Sequence, residues 1–451
     1  MTMAQVDQAR TAPRGLRGIR APREVQVPRM VRVAQRWATP GRCDVDAEIR
    51  RQFDAPEVAR RIPKGGTVAV AVGSRGVAEI DRIAAAVVQA LSRHGARPFV
   101  FPGMGSHGGA TAEGQVEVLA ALGVTEARVG APVVSSMDVV ELGRLADGSG
   151  VYWDRRAHAA DAVVVIGRVK PHTLFRGPFE SGLIKMAVIG AGKQRGAMSI
   201  HATGPKDLEP RLREAWEIVR ARTPIMCGVA VVEDAYDVPV EIAVVPAEAF
   251  VDREPGLLTR ARSLMASLPV RDIDVLIVQE IGKNISGDGM DPNITGRYLS
   301  PHVTGGPTVR RIAVLDLTEE THGNATGVGM ADFISQRVVD KIDLEPTYMN
   351  GITAAITEGS RLPMILLTDR DAVSTAMLTT QRPAEGDARI VYIRNTLTLG
   401  EVAVSTALVP HLEPHARTIS KPFALEWSGD GSLIPPLAPV PVGARPVWGD
   451  F

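Results

Sequence analysis

PKGGTVAVAVGSRG, residues Pro63–Gly76, decides the fold of this 451-residue chain. Its centre, Thr67–Val72, is a short apolar run rich in valine, bounded by Gly-Gly before it and Gly-Ser-Arg-Gly after it. Such a run between turn signals reads as a strand buried on both faces, the pattern of a parallel sheet. The apolar spacing of Glu79–Arg93 predicts a helix directly afterwards. The unit then recurs. Strand Pro98–Phe101 ends in Gly103-Met104-Gly105-Ser106-His107-Gly108-Gly109 and leads to a helix over about Thr111–Leu122. Strand Ala162–Ile166 ends in Arg168-Val169-Lys170-Pro171-His172. Three strand-end loops therefore carry Ser/Arg, Ser/His and Lys/His. Ligands of open α/β sheets bind beyond the carboxyl ends of the strands, so these loops form a candidate site.

Outward from this core, Ile225–Val232 and Ile242–Pro246 close a first domain, and Arg253–Leu268 reads as a helix leading out of it. A second α/β unit begins with Asp274–Val278. It contains Arg311–Leu317, a long amphipathic helix near Ala331–Lys341, Pro363–Thr368 and Arg389–Ile393. The chain is too long for one small core. The expected class is α/β, with two α/β domains, largely parallel sheets and an active-site cleft between the domains. The expected division is an N-terminal arm at 1–45, a first domain at 46–268, a second domain at 269–417 and a Pro/Gly-rich, mostly loop tail at 418–451.

Composition narrows the function. Formal net charge is zero and aromatic content is 4%, which argues against a basic nucleic-acid surface and against base stacking. No apolar run approaches the roughly 18 residues that span a bilayer. The segment up to about Arg36 is rich in Arg and Pro and lacks the apolar core of a secretory signal. It reads as a mobile leader or an extended arm over the domain. The two cysteines, Cys43 and Cys227, form neither a metal-ligand spacing nor a disulfide framework, and a cytoplasmic location is expected.

The chemistry concentrates in Val169–His201, VKPHTLFRGPFESGLIKMAVIGAGKQRGAMSIH. This stretch holds three of the chain's eight lysines, Lys170, Lys185 and Lys193. Lysine, unlike arginine, can lose its proton and act as a nucleophile. It also holds His172 and His201. These two and His107 lie at element ends in Gly/Pro-rich segments, whereas His94, His158, His411 and His415 read as solvated surface groups. The bland alternatives are loop histidines with structural hydrogen bonds, a surface Lys185, and a plain βα turn at Gly73-Ser74-Arg75-Gly76. Gly190-Ala191-Gly192-Lys193 is not a P-loop, because Ala187 and Gln194 stand where Gly and Ser/Thr are required. Its backbone N–H groups could still hold a phosphate.

These residues resemble the cofactor-attachment region of the nickel-dependent lactate racemase family, best over residues 60–205. The resemblance implies a nickel-pincer nucleotide, Ni(II) pyridinium-3,5-bisthiocarboxylic acid mononucleotide, covalently bound through Lys185, with His201 as nickel ligand. It implies that His107 and His172 are paired acid/base groups, and that Arg75, with Ser74 beside it, contacts substrate and cofactor. Ile184 and Met186 would desolvate Lys185 and favour its neutral form. The implied reaction is racemisation or epimerisation of a 2-hydroxy acid, lactate-like or larger, with hydride transfer to and from the cofactor. The implied partners are that small-molecule substrate and the pincer-nucleotide synthesis enzymes; neither nucleic acid nor membrane is expected. The chain departs from the family between His172 and Lys185, where the segment is longer and Glu180-Ser181-Gly182 replaces a tighter small-residue turn.

In the second domain Gln279 and Lys283 are candidates for substrate contact. SGDGMDPNITGR (Ser286–Arg297), with Asp288, Asp291, Asn293 and Arg297, reads as a functional loop, as does Thr321–Gly327 with His322. Neither has the spacing of a Ca²⁺ loop. The alternative function is a cofactor-free small-anion-binding or accessory protein on the same fold.

Overall fold

A computed structural model describes residues 15–74, 76–381 and 386–438. The chain divides into two compact units, one of residues 39–265, the other combining residues 1–38 with 266–451. In chain order the strands are β1 (Met30–Gln35), β2 (Thr67–Val72), β3 (Arg97–Pro102), β4 (Val139–Arg144), β5 (Gly150–Asp154), β6 (Ala162–Arg168), β7 (Ile225–Glu233), β8 (Pro239–Pro246), β9 (Asp272–Val278), β10 (Thr308–Val314), β11 (Phe333–Ser335), β12 (Met364–Leu366), β13 (Ile390–Ile393), β14 (Glu401–Ser405) and β15 (Ala416–Thr418).

The 39–265 unit is built on a five-stranded sheet of order β3-β2-β6-β7-β8. The first four strands are parallel, and β8 returns antiparallel to β7. Val68–Val72 and all of β7 are buried, as a sheet covered on both faces requires. One face packs on Ile80–Arg93, whose Ile80, Ile83, Ala84, Val87 and Leu91 fall at helical spacing and are buried. The other packs on Leu208–Arg222 and Phe250–Leu264, through Trp216 stacked on Phe250 at 4.9 Å. The β4–β5 hairpin, not expected from the sequence, lies on this second side. Buried Trp153 of β5 donates its indole N–H to the Ala187 carbonyl at 2.7 Å.

The second unit carries an eight-stranded sheet of order β12-β11-β10-β9-β13-β14-β1-β15. It is parallel from β12 to β13 and antiparallel beyond. Two expectations change here. Residues 30–35 are not arm but sheet, because β1 pairs with β14 and β15 and buries Met30, Val31, Val33 and Ala34. The long helix expected near Ala331–Lys341 is strand β11 followed by the short helix Gln336–Lys341. Its first apolar residues are consumed by parallel pairing with β10 and β12, a tertiary outcome that periodicity does not reveal. Residues 419–438, the described part of the C-terminal tail, are mostly loop, yet Leu425, Leu433 and Leu437 are buried in this unit's core. Among the described residues no helix is long and apolar enough to cross a membrane.

Candidate active site

The parallel strands β2, β3 and β6 end side by side, and their loops are joined by side-chain hydrogen bonds. Ser74, after β2, meets Nδ1 of His107, after β3, at 2.6 Å. His172, after β6, meets the Lys185 Nζ through Nε2 at 2.6 Å. Arg75 lies outside the described residues. The segment bearing Lys185 and His201 crosses the ends of β2 and β3. Met186 fills the space where a Cβ on Gly73 or Gly103 would stand, and the Gly105 N–H donates to the Gly190 carbonyl at 3.0 Å. Gly190 is the glycine that close approach requires, since a Cβ there would lie 2.6 Å from the Gly103 carbonyl oxygen.

Lys185 ends the helical turn Leu183–Lys185, after which Met186–Gly190 widens into a π-helix and Lys193–His201 resumes the α-helix. Short π segments inside helices are frequent at functional sites. The turn is capped from outside by Glu254, a carboxyl without solvent contact that accepts the Ile184 N–H at 3.0 Å. Burial pushes this carboxyl up to about 7, opposed by its bonds to the turn. Gly182 is obligatory beside it, since a Cβ there would lie 2.3 Å from Glu254 Oε1.

The hydrogen bonds of His172 fix the state of Lys185. The Leu174 N–H donates to His172 Nδ1 at 3.1 Å, so that nitrogen carries a lone pair. In the neutral ring the proton then resides on Nε2. Lys185 Nζ, 2.6 Å away, must accept it, and an amine accepts only when uncharged. An ammonium donating in the other direction would leave the imidazole with no proton on either nitrogen. With Nδ1 accepting from Leu174, these two contacts are those an uncharged Lys185 amine would satisfy.

His172 is 7% exposed and is held by three further contacts. Its ring packs on Phe175 at 4.5 Å. Its N–H donates to Glu180 Oε2 at 2.6 Å, and its carbonyl accepts from Arg176 at 2.6 Å. Glu180 has no exposed surface and also gathers the Gly177 N–H, Arg176 and Arg262. Glu180, read from sequence as a departure in a turn, is thus the anchor of the His172 loop. Its surplus of arginine partners offers a clue only in retrospect.

His201 donates Nδ1–H to the Ala197 carbonyl at 2.7 Å, which leaves Nε2 as the nitrogen with the lone pair. A backbone carbonyl on one imidazole nitrogen is the usual way to orient the other toward a metal. Burial holds this imidazole below its ordinary pKa, opposed by its bond to the Ala197 carbonyl. Among the described residues no three His, Cys, Asp or Glu gather where they could hold a metal.

Lys193 is not part of this reactive set. It has no exposed surface and pairs with Asp154 at 3.2 Å. The Gly190–Lys193 stretch is buried and closely packed, with the Val188 carbonyl 2.6 Å from where a Gly192 Cβ would be. It is a packed helix junction rather than an open phosphate cradle.

A fourth strand-end loop, after β7, has no histidine or glycine and escaped sequence reading. Glu233 accepts from the Ala78 N–H and from Arg168, both at 2.7 Å, and so ties the β2 and β6 loops together. Asp237 sits behind it, pushed up to about 6 by burial and by the neighbouring Glu233 charge.

Gln279 and Lys283 belong to the other unit. Gln279, after β9, accepts from the Tyr392 hydroxyl at 3.2 Å, and Lys283 donates to the Gly287 carbonyl at 2.7 Å. The two loops read as functional are knitted largely to their own surroundings. Asp291 accepts from the Asn293 backbone and side chain, both at 2.9 Å, and Asn324 accepts from the N–H and hydroxyl of Thr326. Arg297 reaches the carbonyls of Val309, Arg310 and Met330 and the Asp332 carboxylate. His415, read as solvated, is half-buried against Trp37 and Gln35.

Comparison with known proteins bears on the first half of the chain. Residues 22–208 match the model of the lactate racemase N-terminal domain. Solved structures of similar fold include a Thermotoga maritima protein, 13% identical over 60% of this chain and 69% of that chain, TM-score 0.43. They also include the lactate racemase apoprotein from Thermoanaerobacterium thermosaccharolyticum, 12% identical over 79% of this chain and 86% of that chain, TM-score 0.41. No curated protein matches. Residues 22–208 of this chain are thus similar to the lactate racemase N-terminal domain.

Proposed function

We propose that this protein is a racemase or epimerase of a 2-hydroxy acid that works with a nickel-pincer nucleotide tethered to Lys185 and ligated through His201. The single observation that carries the reading is the hydrogen-bond pattern Leu174 N–H to His172 Nδ1 and His172 Nε2 to Lys185 Nζ, which calls for an uncharged lysine. When bound, the cofactor supplies the acceptor and donor for the hydrogen on C2 of the substrate.

The protein's own residues supply the proton chemistry. Inverting a 2-hydroxy acid requires a base for the hydroxyl proton of each enantiomer and an acid for its return, so two groups are needed. His172 holds its proton at Nε2 on the Lys185 amine. Once that amine is used as a tether, its lone pair is no longer an acceptor and Nε2 faces the substrate; to take a hydroxyl proton there, the ring must carry its own proton on Nδ1 and release the Leu174 N–H. His107, oriented by Ser74 at Nδ1, serves the opposite enantiomer through its other nitrogen. Histidine suits both directions because its ordinary pKa lies near neutrality. Buried Glu180 and Glu254 keep the His172 loop and the Lys185 turn from drifting, and small misplacements are costly in rate.

The test is chiral chromatography of a panel of 2-hydroxy acids incubated with protein co-expressed with the pincer-nucleotide synthesis enzymes. Interconversion of enantiomers or epimers, lost in His107→Asn and in His172→Asn, is the expected result. A loaded protein that interconverts none of a broad panel, lactate and sugar acids included, would sink the proposal in favour of a small-anion-binding role.

A further inference from the structure

We propose that Lys193 is a positioning residue that, through Gln115, ties the segment carrying Lys185 and His201 to the loop carrying His107. The functional weight of this inference rests on His107 being an acid/base group; its structural content does not.

Lys193 has no exposed surface, and its backbone sits at φ 54°. Glycine adopts that left-handed conformation without strain, whereas a residue with a Cβ does not. The side chain, rather than the backbone, therefore accounts for a lysine here. Its Nζ reaches three acceptors on three elements: the Pro102 carbonyl at the end of β3 at 2.7 Å, Gln115 Oε1 at 3.1 Å and Asp154 Oδ2 at the end of β5 at 3.2 Å. Three acceptors match the three N–H bonds of an ammonium. Asp154 is itself fixed, because its other oxygen accepts the Arg156 and Ala157 N–H groups at 2.8 and 2.9 Å.

Gln115 passes the constraint on. It lies on the helix Ala112–Ala121 with no exposed surface, and its Nε2 donates to the Gly105 carbonyl at 2.9 Å and the His107 carbonyl at 3.3 Å. The orientation of the amide is settled by its neighbours: the ammonium can donate only, and the carbonyls can accept only. The loop between Gly103 and Gly109 needs such a tether. Gly105, Gly108 and Gly109 all stand at positive φ, and a glycine-rich loop has little stiffness of its own. The chain Lys193–Gln115–His107 thus sets where the His107 ring meets Ser74. Lys193 follows the π segment that begins after Lys185 and opens the helix that ends in His201, so one buried ammonium registers both halves of the site.

Gln115→Glu and Gln115→Met, made in the full chain, separate this from a role in the core alone. The glutamate keeps the shape and still accepts from Lys193 but turns a carboxylate oxygen on the two loop carbonyls; the methionine removes both bonds. The primary readout is the ¹⁵N imidazole spectrum and titration of His107 in protein without cofactor, assigned with His107→Asn, so it stands whether or not the protein proves to be a racemase. The expected result in both variants is displaced His107 resonances and titration midpoint, with His201 unmoved and far-UV circular dichroism retained. In loaded enzyme, if the functional reading holds, kcat should fall about 10- to 100-fold with a shifted pH profile. An unchanged His107 spectrum in a folded variant, even with a lowered thermal midpoint, would overturn the proposal. So would failure of both variants to fold, which would assign the pair to the core.

Discussion

Two sets of polar loops in this molecule look alike in sequence and differ in structure. In the 39–265 unit Ser74 after β2 meets His107 after β3, and within the connection after β6 His172 meets Lys185. In the other unit Ser286–Arg297 and Thr321–Gly327 are just as rich in Gly, Asp and Asn, yet Asp291, Asn324 and Arg297 are absorbed by nearby backbone and loop partners. Asx turns and caps use the same residue types as sites do. Polar composition at a strand end therefore does not identify chemistry. What sets the 39–265 loops apart is histidine in hydrogen-bond contact with serine and lysine side chains.

The sharpest way to break the comparison is Lys185→Ala. If this lysine is the tether, racemisation should vanish and no cofactor should be retained, while the cofactor-free protein keeps its fold; a variant with near-normal activity would reduce Lys185 to a neighbour of His172. Next in size are His107→Asn and His172→Asn. General acid/base groups contribute roughly 10²- to 10⁴-fold, and loss of that order in kcat with cofactor still bound is expected of each. An effect on cofactor loading alone would reassign them.

Glu254→Gln tests the support of the Lys185 turn. The folded chain raises this carboxyl from 4.5 to about 7, so it binds the proton more tightly than the unfolded chain does. Its contribution to stability is full below about pH 4.5 and is lost as pH rises through 7. Glutamine removes that dependence and should stabilise the protein at pH 8 by up to about 3 kcal/mol. Denaturation curves at pH 4, 6 and 8 check this; parallel pH dependence in wild type and variant would contradict it. The smallest effect belongs to the contrasting loops. Asp291→Ala removes a cap from the turn Pro292–Thr295 and should cost about 1 kcal/mol in thermal denaturation with catalysis intact. A large catalytic loss would place that loop in the chemistry after all.

The sheet of the 39–265 unit was legible because buried parallel strands such as Thr67–Val72 are continuous in sequence and end in glycine. The hairpin β4–β5 was not, since its β4 residues are largely half-exposed and carry little periodic signal. Strand β1 was hidden by composition: an Arg/Pro-rich N-terminal segment looks like an arm until β14 and β15 pair with it. Within the site the histidines and Lys185 stood out by residue type and by resemblance. Glu180, Glu233 and Glu254 did not. Each acts by meeting atoms far along the chain, as Glu254 does at Ile184, and no local pattern records such a meeting. Lys193 illustrates the converse. It shares a glycine-rich segment with Lys185, and only its complete burial beside Asp154 separates a structural ammonium from a reactive amine.

The central claim is that Lys185 is an uncharged nucleophile placed to carry a cofactor whose metal His201 ligates. Intact-protein mass spectrometry with peptide mapping and nickel analysis, on protein co-expressed with the pincer-nucleotide synthesis enzymes, tests it most directly. The account predicts a mass increment on the peptide containing Lys185 together with nickel, and in His201→Ala the increment without the nickel. An unmodified, nickel-free Lys185 under conditions that load a genuine lactate racemase would contradict it.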